Sequence, residues 1–124
     1  MIHVREAVPH FDVADIHGTR VSYATIWQRK HLVLVALKPG DEPDYVTRLA
    51  AVERELADLQ TRLVITRESV AGIDAPGVIV ADRWGEVAFA RSAPTAGDLP
   101  DPAELVEWAQ HLQHKCPECE GEAR

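Results

Sequence analysis

Apolar positions along the chain switch between a period of two and a period near 3.6, and the switches mark out the elements. Pro9-His10-Phe11-Asp12-Val13-Ala14-Asp15-Ile16 alternates apolar and polar residues and stops at His17-Gly18, which predicts a short strand and a turn. Arg20-Val21-Ser22 reads as a short return strand, with Ser22 placed to cap a brief helix through Trp27. Leu32-Val33-Leu34-Val35-Ala36-Leu37 is a continuous apolar run, which suits a central strand buried on both faces. It ends in the loop Lys38-Pro39-Gly40-Asp41-Glu42-Pro43. Tyr45, Leu49, Val52, Leu56, Leu59 and Leu63 follow at spacings of four, three, four, three and four, which predicts an amphipathic helix of about four turns. Val64-Ile65-Thr66 makes another short strand.

In the last third of the chain, Val78-Ile79-Val80-Ala81 and Val87-Ala88-Phe89-Ala90 flank Asp82-Arg83-Trp84-Gly85, a hairpin pattern. Asp101 then precedes Pro102, and Glu104 stands three residues after Asp101: a cap, a first-turn proline and a capping-box acid. Leu105, Trp108, Ala109 and Leu112 supply the buried stripe of this last helix. A buried strand, a crossover helix and a further strand form a βαβ unit with parallel pairing, and the hairpin adds antiparallel strands. The fold class is therefore α/β: a mixed central sheet with helices on both faces and an N-terminal hairpin.

These motifs carry a resemblance. Pro9-His10-Phe11-Asp12-Val13-Ala14-Asp15-Ile16-His17-Gly18 resembles the Pro-x-Phe-x-x-x-Asp-x-x-Gly opening of the thioredoxin-like superfamily, in its peroxiredoxin and thiol-disulfide oxidoreductase branch. Ser22-Tyr23-Ala24-Thr25-Ile26-Trp27 resembles the short helix after that opening. Pro76-Gly77-Val78-Ile79-Val80-Ala81-Asp82-Arg83-Trp84-Gly85 resembles the family's proline-led strand ending in Asp-x-x-Gly. The resemblance spans residues 8 to 113 and implies a thioredoxin-like fold in which Pro76 is cis and faces the active site. It also implies a nucleophilic cysteine after the first central strand. There the chain departs from the family: Lys38-Pro39-Gly40-Asp41-Glu42-Pro43-Asp44-Tyr45 holds no Cys, Ser or Thr. The family's chemistry uses a thiolate held by a helix N-terminus. A carboxylate at Asp41 or Asp44 sits well in that field but cannot exchange with a disulfide. Those two acids are expected to cap the helix, and with Tyr45 and Pro76 they outline a vestigial cleft.

Composition narrows the function classes. The 124 residues fit one domain, 46% hydrophobic and 27% charged, here taken as 1–115 with a tail at 116–124. A net charge of −7 with scattered basic residues excludes a general nucleic-acid binder. No apolar run reaches the length of a membrane span, and the first residues carry no apolar leader core. A cytoplasmic protein is expected; an exported chain with its leader removed would read the same way. The charges at Arg48, Glu53, Arg54, Glu55, Asp58 and Arg62 are expected on the solvated face of the long helix. Trp27, Trp84 and Trp108 are expected to pack in the core, and His111 to lie at the surface.

The remaining thiol chemistry lies at the far end, where the chain's two cysteines form Cys116-Pro117-Glu118-Cys119. Three readings stand side by side. Cys116 and Cys119 form a redox dithiol; they form half of a zinc site, with His114 or the same pair of a second chain completing it; or they are inert. The pair follows a helix C-terminus, whose partial negative charge disfavours a thiolate. Glu118, Glu120 and Glu122 act in the same sense, while Lys115 and a charged His114 oppose them. The residues thus favour a non-catalytic binding or interaction module, with an unidentified protein or thiol partner or a second copy in a homodimer. The alternative is a thiol-disulfide oxidoreductase or antioxidant protein working through the C-terminal pair.

Overall fold

The computed structural model describes residues 1–40 and 43–114. A two-stranded antiparallel hairpin, β1 (Asp12–Ala14) and β2 (Arg20–Ser22), leads into a one-turn 3-10 helix at Tyr23–Thr25. The central sheet follows: β3 (His31–Ala36), α1 (Pro43–Asp58), β4 (Thr61–Thr66), β5 (Gly77–Ala81) and β6 (Val87–Ser92), before α2 (Pro102–His114). Its strand order is β4-β3-β5-β6, with β3 and β4 parallel and the other two pairings antiparallel. The expected βαβ unit and mixed sheet are both present.

Strand alternation divides the core into two layers. Val33, Val35 and Leu37 point to the face that receives Leu49, Leu56, Leu105 and Ala109 from α1 and α2. Leu32, Leu34 and Ala36 point to the other face, against Phe11, Val13, Val21, Tyr23 and Ile26. All six β3 residues are buried, which explains its unbroken apolar run. Each such aliphatic side chain contributes about 1.5–3 kcal/mol by leaving water. Helical structure covers both faces, but unequally: both α-helices lie on one, and a single 3-10 turn with the hairpin covers the other.

Four local expectations need correction. The opening strand is shorter than its alternation, Asp12–Ala14 rather than Pro9–Ile16. Its turn is closed by Asp15, whose Oδ1 accepts from the N–H groups of His17 and Thr19 at 2.9 and 3.0 Å. Ser22 occupies the cap position of the 3-10 turn but its side chain makes no capping bond; Thr25 Oγ1 instead donates to Ser22 O at 2.7 Å. The long helix ends at Asp58, because Gln60 takes φ 56° and turns the chain into β4. Leu63 and Arg62 thus belong to β4, although their spacing continues the helical stripe. Asp101 behaves as expected: its Oδ1 accepts from Ala103 N at 2.9 Å at the start of α2.

Candidate functional site

The register of the sheet defines two ends. Ala36 pairs with Gly77, so Pro76 stands beside the exit of β3, where the family would carry its thiol. The Ala75–Pro76 peptide bond is cis and Pro76 is buried, with its carbonyl accepting from Ala93 N at 3.1 Å. Gly77 is required there, since a Cβ would lie 2.4 Å from Asp74 O. After β3, Leu37 is buried and Gly40 turns the chain at φ 84°. Asp41 lies outside the described residues.

The other proposed cleft residues do not converge. Asp44 sits in the first turn of α1 with 82% of its side chain exposed and its Oδ2 3.9 Å from Arg48 Nε. A carboxylate in this first turn supports the helix N-terminus electrostatically. Tyr45 is fully buried; it faces the core instead of an open cleft, and its hydroxyl donates to Pro100 O at 2.7 Å. Burial pushes the Tyr45 hydroxyl pKa up to about 12, with the nearby Arg48 pulling the other way. Arg48 lies 5.4 Å over the Tyr45 ring and 3.2 Å from Asp101 Oδ2, so the starts of α1 and α2 are fastened together at this end.

Both helices therefore begin at the Pro76 end. Over its 13 residues α2 runs about 20 Å to the opposite end of the sheet. Gln113 reaches His31 there, at the first residue of β3. His114 is exposed, and Cys116 and Cys119 lie outside the described residues. Among the described residues, no group of three His, Cys, Asp or Glu side chains is placed to hold a metal. No helix among them is long and apolar enough to cross a membrane.

The His31 end contains what sequence reasoning missed. His31 is buried, and its Nδ1 accepts from Arg83 N at 3.1 Å. Nδ1 therefore carries no proton in this arrangement, and Nε2–H donates to Gln113 Oε1 at 3.2 Å. The network specifies one neutral tautomer. In keeping with it, burial and then the neighbouring Arg83 charge lower the His31 pKa, against weaker opposing effects of Gln113 and Asp82.

Beside it, Trp27 and Trp84 are not core residues as expected but are 38% and 54% exposed. Trp27 Nε1 donates to Trp84 O at 3.2 Å. The β5–β6 loop is fixed by Asp82 Oδ1, which accepts from Trp84 N and Glu86 N, and by Gly85 at φ 86°. Tyr23 lies beneath, 1% exposed, with a hydroxyl that has no hydrogen-bond partner among the described residues. His10 meets both Tyr23 and Trp27 edge-on at 5.2 and 5.3 Å. Trp108 alone is packed as expected, half-buried against Phe89, while His111 is exposed. No sequence signal separates the exposed tryptophans from the packed one, apart from the position of Trp84 in the Asp82–Gly85 turn.

No protein-family model and no curated protein matches the chain. Solved structures do. It is similar to the mitochondrial 2-Cys peroxiredoxin of Plasmodium falciparum, with a TM-score of 0.72 at 9% identity over 90% of this chain and 95% of that one. It is similar to a thioredoxin-family thiol:disulfide interchange protein of Chlorobium tepidum, with a TM-score of 0.65 at 11% identity over 91% of this chain and 99% of that one. A peroxiredoxin-like protein of Aquifex aeolicus gives a TM-score of 0.63 at 14% identity, covering 90% and 88% of the two chains. At these identities the likeness is one of architecture, and it establishes that this chain has the thioredoxin-like fold.

Proposed function

We propose that the protein is a non-catalytic binding module on a thioredoxin-like scaffold, recognising a protein or thiol-bearing partner at the Pro76 end. The observation that carries this reading is the stretch between β3 and Tyr45. The scaffold around it is retained, with Pro76 and two helix N-termini at that end, yet residues 38–45 include no Cys, Ser or Thr, and the Tyr45 hydroxyl is bonded to Pro100 O in the core. The structural neighbours include a peroxiredoxin and a thiol:disulfide interchange protein. That chemistry requires a thiolate, which this position cannot supply.

The Cys116-Pro117-Glu118-Cys119 spacing supports a second reading, in which the C-terminal pair works as a dithiol in a thiol-disulfide oxidoreductase or antioxidant protein. The same pair, with His114 or a second chain, would hold zinc in a homodimer. A thiol titration with and without chelator, combined with an insulin-reduction assay, distinguishes the three. The binding reading expects two titratable thiols, no chelator effect and no insulin reduction above that of Cys116→Ser/Cys119→Ser. Turnover lost in that variant establishes the dithiol reading instead. Thiols that appear only after chelation establish the metal reading.

A further inference from the structure

The Arg83–Trp84 segment of the β5–β6 loop is held to the start of β3 and the turn before it by three hydrogen bonds. Arg83 N donates to His31 Nδ1 at 3.1 Å, Gln28 N donates to Arg83 O at 2.6 Å, and Trp27 Nε1 donates to Trp84 O at 3.2 Å. His31 also reaches α2 through Gln113 Oε1, so one buried imidazole joins loop, strand and helix. The far side of the loop is fixed separately. Val8 N donates to Gly85 O at 2.9 Å, and Asp82 Oδ1 accepts from Trp84 N and Glu86 N.

Of the three bonds that hold Arg83 and Trp84, only the one at His31 depends on a proton. A neutral imidazole accepts from Arg83 N, whereas an imidazolium has two N–H donors and no acceptor. Protonation at Nδ1 therefore sets one donor against another at the loop, while Nε2–H keeps its bond to Gln113. The charged groups of the loop that act on the ring are Arg83, which opposes its charge, and Asp82, which favours it more weakly and already holds two N–H groups with Oδ1. Lys30 before the ring, Arg62 on β4 and His114 on α2 are exposed, and β5 carries no charged residue. We propose that His31 is an acid-released latch: on taking a proton at Nδ1 it lets go of Arg83 N, and Arg83 and Trp84 loosen from β3 while Gly85 stays tied to Val8. The latch lies at the opposite end of the sheet from Pro76 and does not depend on the binding reading.

Amide hydrogen exchange read by NMR in the full natural chain, from about pH 7 to about pH 5, tests it. Each rate is divided by its intrinsic value, so that the pH dependence of the exchange chemistry cancels. The Arg83 N–H should lose about fivefold in protection on acidification, the worth of one ordinary hydrogen bond. The Val8 N–H should keep its protection. The ring nitrogen signals of His31 should show Nδ1 bare at the higher pH and protonated at the lower, with the midpoint of the Arg83 change. In His31→Gln, whose amide oxygen accepts the same bond without titrating, Arg83 protection should not vary with pH. Arg83 protection that stays constant in the natural chain overturns the proposal, whether or not the ring takes its proton. So does a ring that carries its proton on Nδ1 at neutral pH. An equal loss at Val8 also overturns it, because the domain would then be opening as a whole, and so does an Arg83 loss that persists in His31→Gln.

Discussion

The two ends of β3 are built in opposite ways. At the Pro76 end, where the fold family carries its thiol, the polar groups are quietly satisfied: Tyr45 donates to Pro100 O, and Arg48 joins Asp44 to Asp101. At the His31 end, a buried imidazole is tuned to one tautomer, a buried tyrosine hydroxyl has no partner among the described residues, and two indoles face water. Buried polar groups without partners are costly and are retained only against that cost. The contrast places the unusual physical chemistry of this molecule about a helix length away from the position its fold would suggest.

The largest effect should come from the Pro76 end, through packing. Tyr45→Ala removes a fully buried ring and should lower unfolding free energy by about 3–5 kcal/mol in urea titration. Tyr45→Phe should cost only about 1–2 kcal/mol, the value of an orphaned Pro100 carbonyl. Equal losses in the two variants would mean that the hydroxyl, rather than the ring, anchors this end.

At the His31 end, Gly85→Ala should cost about 2 kcal/mol, because an alanine at φ 86° is strained and its Cβ would lie 3.1 Å from Tyr23 Oη. Tyr23→Phe acts in the opposite direction. It removes a buried hydroxyl that has no hydrogen-bond partner among the described residues and should stabilise by about 1 kcal/mol. It should also reduce the cost of Gly85→Ala, a coupling that a double-mutant cycle reads directly. A destabilised Tyr23→Phe would show that the hydroxyl has a partner.

The smallest effect is a pH dependence from His31. Its folded pKa lies below the ordinary 6.5, so between the two values the unfolded chain holds a proton that the native state does not. Stability is fully present above 6.5 and falls as pH drops through that window, levelling below the folded pKa. The urea midpoint should therefore drop between about pH 8 and pH 5.5 by less in His31→Gln than in the natural chain. An identical drop in both would remove His31 from the account.

Much of the fold was legible because its signals are local. The apolar run of β3, the Arg20–Ser22 return strand and the Asp101-Pro102 helix start each state their structure within a few residues. The run from Tyr45 to Leu63 misled because Leu59 and Leu63 keep helical spacing by coincidence, while one residue, Gln60, leaves the helical region. Of the candidate site, Pro76 was legible through its place in a family motif. Tyr45 was placed on the right helix, but its direction into the core depends on Pro100, a tertiary contact 55 positions away. The His31 network joins residues 31, 83 and 113 and has no sequence signature, since each partner contributes either a backbone N–H or an ordinary amide.

The proposed binding reading holds that this thioredoxin-like protein, with no cysteine among residues 38–45, does not work as a thiol enzyme. The most direct measurement is the rate at which the reduced protein consumes hydrogen peroxide, compared with Cys116→Ser/Cys119→Ser and with free glutathione. The account predicts a rate no faster than glutathione, and none in the double variant. Consumption about a hundredfold faster than glutathione, lost in that variant, would require an activated thiolate and would contradict the account.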